Sequence, residues 1–508
     1  LLLQEIQEVE MTPEEELQEY IKRLGILVSE YIGFSIQFSL EKSNISESVD
    51  EKEISLGLHV NDIINISGLM DEVITDVISK LIYVMQNAIN KTETLDYDLF
   101  HNLTAEVSLS LIFEDYVNNN AIGKFNKINF LNDLREISSH TYESSSVDVG
   151  IVYCPNNEAL KDLKKIKDIE YIKLSSAITI KEFFLNEKPF LKLIDKKSLA
   201  IAVDHNFNVF AILRKKEGSK SLYSIFENSF NEYGSNHVTK KVIASFLQPL
   251  EERQHLSSSE KEFQNFLLEK IKRNITFFEN NNNAQVPKFK YIDVQNKKIS
   301  FHTGNKFVIS YYNGTWKLKH YNSLFAHILY RSLVTQLSHF LWLEQDEFEN
   351  FIKRLSSNVS KLLHCMKNLS ISSCSSIFVI LDNPEISYSL STSQVKNLLK
   401  KTALLRKVNI NKNFINAIKR KSNHLNITDI DPYLLDSLST VDGAVILDTN
   451  FNILSFGETI QVNNKDYSDT FGTGTRASRA ASEYGLSIKV SEDGDINLFR
   501  DEEKLLTL

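Results

Sequence analysis

The sequence predicts an α/β protein of several domains, and three observations predict it. The chain has 508 residues, enough for roughly three domains of ordinary size. Short strand-like apolar runs alternate with longer segments of helical periodicity along most of it. Apolar residues make up 42 % and charged residues 24 % of the chain, the balance of a folded protein rather than a disordered or collagen-like one.

The elements follow in order. Thr12, Pro13 and Glu15 form a capping box with proline at the first helical position. Phe34, Ile36, Phe38 and Leu40 then alternate with Ser35, Gln37 and Ser39, the pattern of a half-buried strand, and 54–60 is its hairpin partner. Ser67 caps a helix with one apolar face, Met70, Val73, Ile74, Val77, Ile78, Leu81 and Ile82. In the middle, 149–153, 171–174 and 199–203 read as strands. Segments near 129–142, 158–168, 238–248 and 259–275 read as helices. Asp204-His205-Asn206-Phe207-Asn208 is a hairpin turn between apolar runs. The asparagine run from Asn280 to Asn283, ending near Pro287, marks an exposed loop or linker.

Two hairpins are expected next, 288–294 with 298–302 and 307–312 with 315–321. Asn313-Gly314 is a type I′ turn signal in the second. Its aromatic residues Tyr311, Tyr312, Trp316 and Tyr321 suit either cross-strand packing or a ligand platform. Helices follow near 322–342 and 346–368. The run Ile377-Phe378-Val379-Ile380-Leu381 reads as a strand buried on both faces. Helical segments lie near 393–405, 413–422 and 432–438. A strand over 441–448 turns at 450–452 into a second strand, 453–456, and Gly457 precedes a further extended segment, 459–462. The chain thus divides into an N-terminal α+β region (1–125), a middle α/β region (126–280), hairpins with a linking helix (281–349) and a C-terminal domain (350–508). One echo crosses these regions: Ala202-Val203-Asp204-His205-Asn206-Phe207-Asn208-Val209 resembles Ile446-Leu447-Asp448-Thr449-Asn450-Phe451-Asn452-Ile453. Internal duplication and independent use of Asn-rich turn chemistry both account for it.

Charge and cysteine content narrow the function. A net charge of -9 does not supply the clustered Lys and Arg that general nucleic-acid binding needs. Cys154, Cys365 and Cys374 contain no CxxC pair and are odd in number, which fits a reducing, cytoplasmic setting. The pair His364-Cys365 near Cys374 suits packed thiols better than a zinc site, which wants paired ligands at short spacing. Leu1-Leu2-Leu3 passes at once into Gln4, Glu5, Glu8 and Glu10, unlike a signal peptide. The apolar stretch 69–89 carries Asp71, Glu72, Asp76 and Lys80, unlike a membrane span.

The most informative segment is Gly472-Thr473-Gly474-Thr475-Arg476-Ala477-Ser478-Arg479-Ala480-Ala481-Ser482. Glycines and threonines before an Ala-rich helix expose N–H groups and hydroxyls at the positive end of the helix dipole, where phosphate is favoured. Arg476 and Arg479, three residues apart, add charge that reaches phosphate oxygens. The same loop also serves as a plain helix cap.

The order Asp442-Gly443-Ala444, then Gly474-Thr475-Arg476, then Val490-Ser491-Glu492 resembles the diadenylate cyclase (DAC) domain of the DisA family over roughly 350–508. That family carries Asp-Gly-Ala, Gly-Thr-Arg-His-Arg and Val-Ser-Glu in this order. The resemblance implies a mixed sheet flanked by helices, with two such domains facing each other as a homo-oligomer and each holding one ATP. It implies joining of two ATP into cyclic di-AMP with a Mg or Mn ion at the Asp, here Asp442. The nucleotide-binding positions it implies are Asp442, Gly443, Ala444, Gly472, Thr473, Gly474, Thr475, Arg476, Arg479, Ser491 and Glu492. The sequence departs from the family pattern where Ala477 and Ser478 replace the His and Arg479 comes one residue late. Val441 also stands where some members have a metal-binding His. The expected function is an adenine-nucleotide sensor or regulatory module with weakened or lost cyclase chemistry. The alternatives are an active diadenylate cyclase and a structural protein without nucleotide.

Overall fold

The computed structural model describes residues 13–41, 55–60, 79, 97–113, 116, 121–142, 145–186, 189–227, 229–230, 265, 269, 287–295, 297–303, 308–319, 328–329, 345–382, 399, 405–407, 425–462 and 472–508. The helix expected after Ser67, those near 238–248, 259–275, 393–405 and 413–422, most of 322–342, and the asparagine run fall almost entirely outside these residues.

The protein is α/β, with two mixed sheets. Helix α1 (Pro13–Ile32) has Pro13 as its first residue and buries Leu24, Val28, Tyr31 and Ile32 on one stripe. Gly33 ends it at φ +85°. A hairpin of β1 (Ile36–Glu41) and β2 (Ser55–Val60) follows, in the register Ile36 to Val60. Helices α2 (Tyr97–Ile112) and α3 (Ala121–Ser139) precede a minimal ribbon of β3 (Thr141–Tyr142) and β4 (Ser145–Ser146).

The first large sheet contains β5 (Asp148–Tyr153), β6 (Ile169–Thr179), β7 (Leu199–Val203), β8 (Asn208–Lys215), β9 (Lys290–Gln295), β10 (Lys298–His302), β11 (Val308–Tyr312) and β12 (Thr315–Lys319). Its order is β12-β11-β10-β9-β5-β7-β8-β6, and β5 with β7 is its parallel pair. Hairpins β9–β12 thus continue the sheet of β5–β8, and the expected boundary at 280/281 does not separate two sheets. The join is made by β9 pairing antiparallel with β5, from Asp148 opposite Gln295 to Tyr153 opposite Lys290. Helix α4 (Asn157–Lys165), N-capped by the Asn156 side chain, and helix 222–227 cover one face with Leu163, Leu222 and Phe226.

The second sheet follows the long helix α5 (Gln345–Ile371). It holds β13 (Ser376–Leu381), β14 (Leu405–Lys407), β15 (Ala444–Leu447), β16 (Ile453–Ile460), β17 (Gly485–Val490), β18 (Ile496–Arg500) and β19 (Glu503–Thr507), in the order β14-β16-β15-β13-β17-β18-β19. Helix α6 (Pro432–Ser439), N-capped by Asp431, leads into β15. Helix α7 (Thr473–Ala481) covers the face built from Val379, Leu381, Ala444 and Ile446.

Strand for strand, the second sheet repeats the first. The series β6-β8-β7-β5-β9-β10-β11 and β14-β16-β15-β13-β17-β18-β19 share order, direction and chain sequence. The turns agree atom for atom. The Asp204 carboxylate accepts from the N–H of Asn206 and Asn208, both at 2.9 Å, and Phe207 has φ +63°. The Asp448 carboxylate accepts from the N–H of Asn450 and Asn452 at 2.9 and 2.8 Å, and Phe451 has φ +62°. The echo in the sequence marks the same hairpin of a repeated fold.

Specific contacts tie the second sheet and its helix α5 to helices outside it. The ammonium of Lys367 on α5 pairs with Glu227 on helix 222–227 at 3.0 Å. Thr507 N–H donates to the Gly33 carbonyl at 2.6 Å. A Cβ on Gly33 would stand 2.1 Å from the Thr507 oxygen, so this approach admits only glycine. Among the described residues, no helix is long and apolar enough to cross a membrane.

Candidate functional site

The register of the second sheet places the predicted residues at one end of it. β15 runs parallel to β13 with Ala444 opposite Ile377, so Asp442 and Gly443 enter at the N-terminal ends of both strands. β17 runs antiparallel to β13 with Lys489 opposite Ile377, so Ser491 and Glu492 leave at that same end. Helix α7 packs over β17, and its first turn meets Lys489: the ammonium donates to Thr475 Oγ1 at 2.9 Å. Asp442, the 472–476 loop and the 491–492 turn therefore share one pole of the sheet.

Each position has a local cause. Gly443 has φ +113°, and a Cβ there would lie 2.6 Å from the Gly457 carbonyl carbon and 2.7 Å from Glu458 N. The chain crosses β16 so closely that only glycine passes, which leaves Asp442 exposed just outside the sheet. Gly472 is the N-cap of α7 without a side-chain cap, and its carbonyl accepts from Thr475 and Arg476 N–H at 3.0 and 3.1 Å. The N–H groups of Thr473 and Gly474 have no acceptor among the described residues, as expected of orphan donors in a first turn. Arg476 is half-buried in that turn.

Other predicted residues serve the fold. Arg479 Nε donates to the Glu502 carbonyl at 2.9 Å, which directs its guanidinium to the β18–β19 turn. One residue's delay turns it about 100° around the helix from the position the family pattern gives its second arginine. Ser478, at a position where the family pattern has another residue, is buried and shares a 2.7 Å hydrogen bond with Ser487, fastening α7 to β17. Ser491 is buried, its N–H donating to the Asp495 carbonyl, whereas Glu492 is exposed.

Two further residues stand at this pole outside any sequence motif. Lys489 stands beside the loop with its stem under Gly474, whose Cβ would come 3.2 Å from Lys489 Cε. Glu458, 1 % exposed, faces Ala444 across β15–β16 and accepts from the Ser455 hydroxyl. The available signal was a single charge inside each of two otherwise apolar strands. Among the described residues no three His, Cys, Asp or Glu side chains converge as metal ligands. A divalent ion at Asp442 would find one carboxylate next to Val441, a poor donor set for it.

The opposite pole is filled. Asp448, Asn452 and Asn426 form a buried hydrogen-bonded chain at the β15–β16 turn, and Asp382 at the end of β13 pairs with Arg500. The thiols are packed: burial pushes Cys154 up to about 12 and also raises Cys365, away from thiolate chemistry. Tyr311 and Trp316 are buried at 4.9 Å between ring centroids, so cross-strand packing accounts for them.

A second polar centre lies in the first sheet. Lys196 Nζ sits 2.7 Å from Asp148 and 2.9 Å from Asp293, and donates to Gln295 at 2.7 Å. Burial opposes the Lys196 charge, but Asp293 and Asp148 outweigh it and hold its pKa above the usual lysine value. Burial raises Asp293, and Lys196 only partly reverses that. His302, ringed by Tyr223, Phe230 and Tyr291, is lowered by burial to about 4, with Glu227 opposing.

Compared with known proteins, the chain matches no family model and no curated protein.

Proposed function

We propose that the C-terminal domain, 350–508, binds an adenine nucleotide such as ATP as a sensor or regulatory module related to the DAC domain, with cyclase chemistry weakened or lost. The observation that carries this reading is the open first turn of α7. Two N–H donors without acceptors among the described residues, the Thr475 hydroxyl, Arg476 and Lys489 gather at the end of the sheet where Asp442 emerges. Backbone donors with two cations suit phosphate oxygens. The motif order Asp442-Gly443-Ala444, Gly474-Thr475-Arg476 and Ser491-Glu492 supplies the adenine-nucleotide part of the reading.

Loss of turnover is supported by side-chain chemistry. Ala477 and Ser478 offer no imidazole, and Arg479 is engaged at Glu502. Attack of a 3′-hydroxyl on an α-phosphate needs alignment to within a fraction of an ångström, and misplacement costs about 100-fold. The test is calorimetry of the purified chain with ATP, with and without Mg or Mn, alongside chromatography for cyclic di-AMP. Binding without product is expected. Robust turnover abolished by Asp442→Asn would establish an active cyclase instead, and no binding would leave a structural protein whose α7 loop is only a helix cap.

A further inference from the structure

Because the fold is repeated, the first sheet has a pole equivalent to the candidate site, and the two can be compared position by position. Anchored on the shared turn, Asp204 matches Asp448, and Val152 opposite Ala202 matches Val379 opposite Ile446. Two residues back, Gly150 opposite Asp293 matches Ile377 opposite Lys489. The loop 195–198 before β7 matches the loop 439–442 before β15. Helix 222–227 covers the same face that α7 covers in the second sheet.

The equivalent groups are used in opposite ways. In the first sheet the helix start is closed: Leu222 N–H donates to the Lys197 carbonyl at 3.0 Å and Tyr223 N–H to the Lys196 carbonyl at 2.9 Å. The loop thus supplies oxygen acceptors where α7 leaves Thr473 and Gly474 without any among the described residues. The Lys196 side chain then lies over Gly150, whose Cβ would meet Lys196 Cβ at 2.9 Å, with its ammonium held by Asp148 and Asp293. That ammonium is also 5.3 Å from the Tyr223 ring centroid. Its side chain is 7 % exposed. A carboxylate, Asp293, stands where Lys489 stands in the second sheet, which repels an anion rather than attracting one.

We infer that the first repeat is a closed copy of the binding fold, with the 195–198 loop and Lys196 seated in its own ligand position, so that anionic ligands enter only the second repeat. The closure stands on the first sheet's own contacts; that the second repeat takes a nucleotide rests on the proposed function. A built-in plug of this kind turns one of two equal sites into scaffold, and gives one ligand per chain.

Lysine acetylation of the full native chain, read by peptide mass spectrometry with and without ATP, tests this. Lys196 is expected to react at least about tenfold more slowly than exposed Lys216, through rare local opening only, and Lys489 faster than Lys196. ATP should slow Lys489 and leave Lys196 unchanged. Lys196 reacting as fast as Lys216, or ATP altering the labelling of Lys196, overturns the inference. The expected native pattern with no ATP effect on any lysine upholds the closed first repeat and refutes the nucleotide reading.

Discussion

Acidification should loosen the first sheet through His302. Its folded pKa is about 4, against about 6.5 for an ordinary histidine, so the folded protein holds the neutral ring. The stabilisation is therefore complete above pH 6.5 and is lost as pH falls toward 4. The full difference corresponds to about 3 kcal/mol, of which about 2 kcal/mol has gone by pH 5. Two neighbours also titrate on acidification. Burial raises Glu227 but Lys367 outweighs it and lowers its pKa, so its contribution is present above the ordinary carboxylate range and is lost on acidification. Asp293 is raised, so its protonation on acidification favours the fold. The variant His302→Phe keeps both neighbours and removes only the titrating ring. Hydrogen exchange should show protection over 289–303 falling between pH 7.5 and 5 in the native chain, once corrected for intrinsic rates, and falling much less in the variant. Equal slopes in the two proteins would refute the argument.

Further predictions concern the second sheet. Gly443→Ala should cost more than about 2 kcal/mol in thermal unfolding, because strain at positive φ adds to a backbone collision; a Tm unchanged within a degree or so would contradict the close crossing. Ser478→Ala leaves the Ser487 hydroxyl buried without its partner and should cost about 1–3 kcal/mol, measurable by urea denaturation. Arg476→Ala should weaken ATP binding by about 1–3 kcal/mol with little change in stability. Arg479→Ala should do the reverse, lowering Tm while calorimetry finds the ATP affinity unaltered, since its contact is with Glu502.

Local pattern carried much of this fold into view. The apolar run at 377–381 and the strand at 199–203 emerge within a residue of their observed bounds, because a short continuous apolar run suits a strand buried on both faces. Asn313-Gly314 fixed its hairpin for the same local reason. Strand β16 was harder. Gly457 reads as a break, yet a bulged register carries the strand through it to Ile460. Pairing between β5 and β9 joins residues far apart in sequence, and no local signal announces it. At the candidate site the loop and Asp442 were legible as motifs. The direction taken by Arg479, and the roles of Lys489 and Lys196, depend on which strand lies beside which, so they emerge only with the register.

The hydrogen bond between Thr507 and Gly33 has a consequence for how the chain is made. The last strand completes the packing at the end of the first helix, with Leu505, Leu506 and Leu508 all buried. During synthesis the residues that receive this contact emerge well before their partner, Thr507. Domains generally fold as they appear, but here the turn after α1 cannot reach its final neighbours until translation of this region is finished. A contact spanning almost the entire sequence is costly in loop entropy and slow to form. The docking of β19 against the turn after α1 therefore waits until β19 itself has been made, however early that turn has formed.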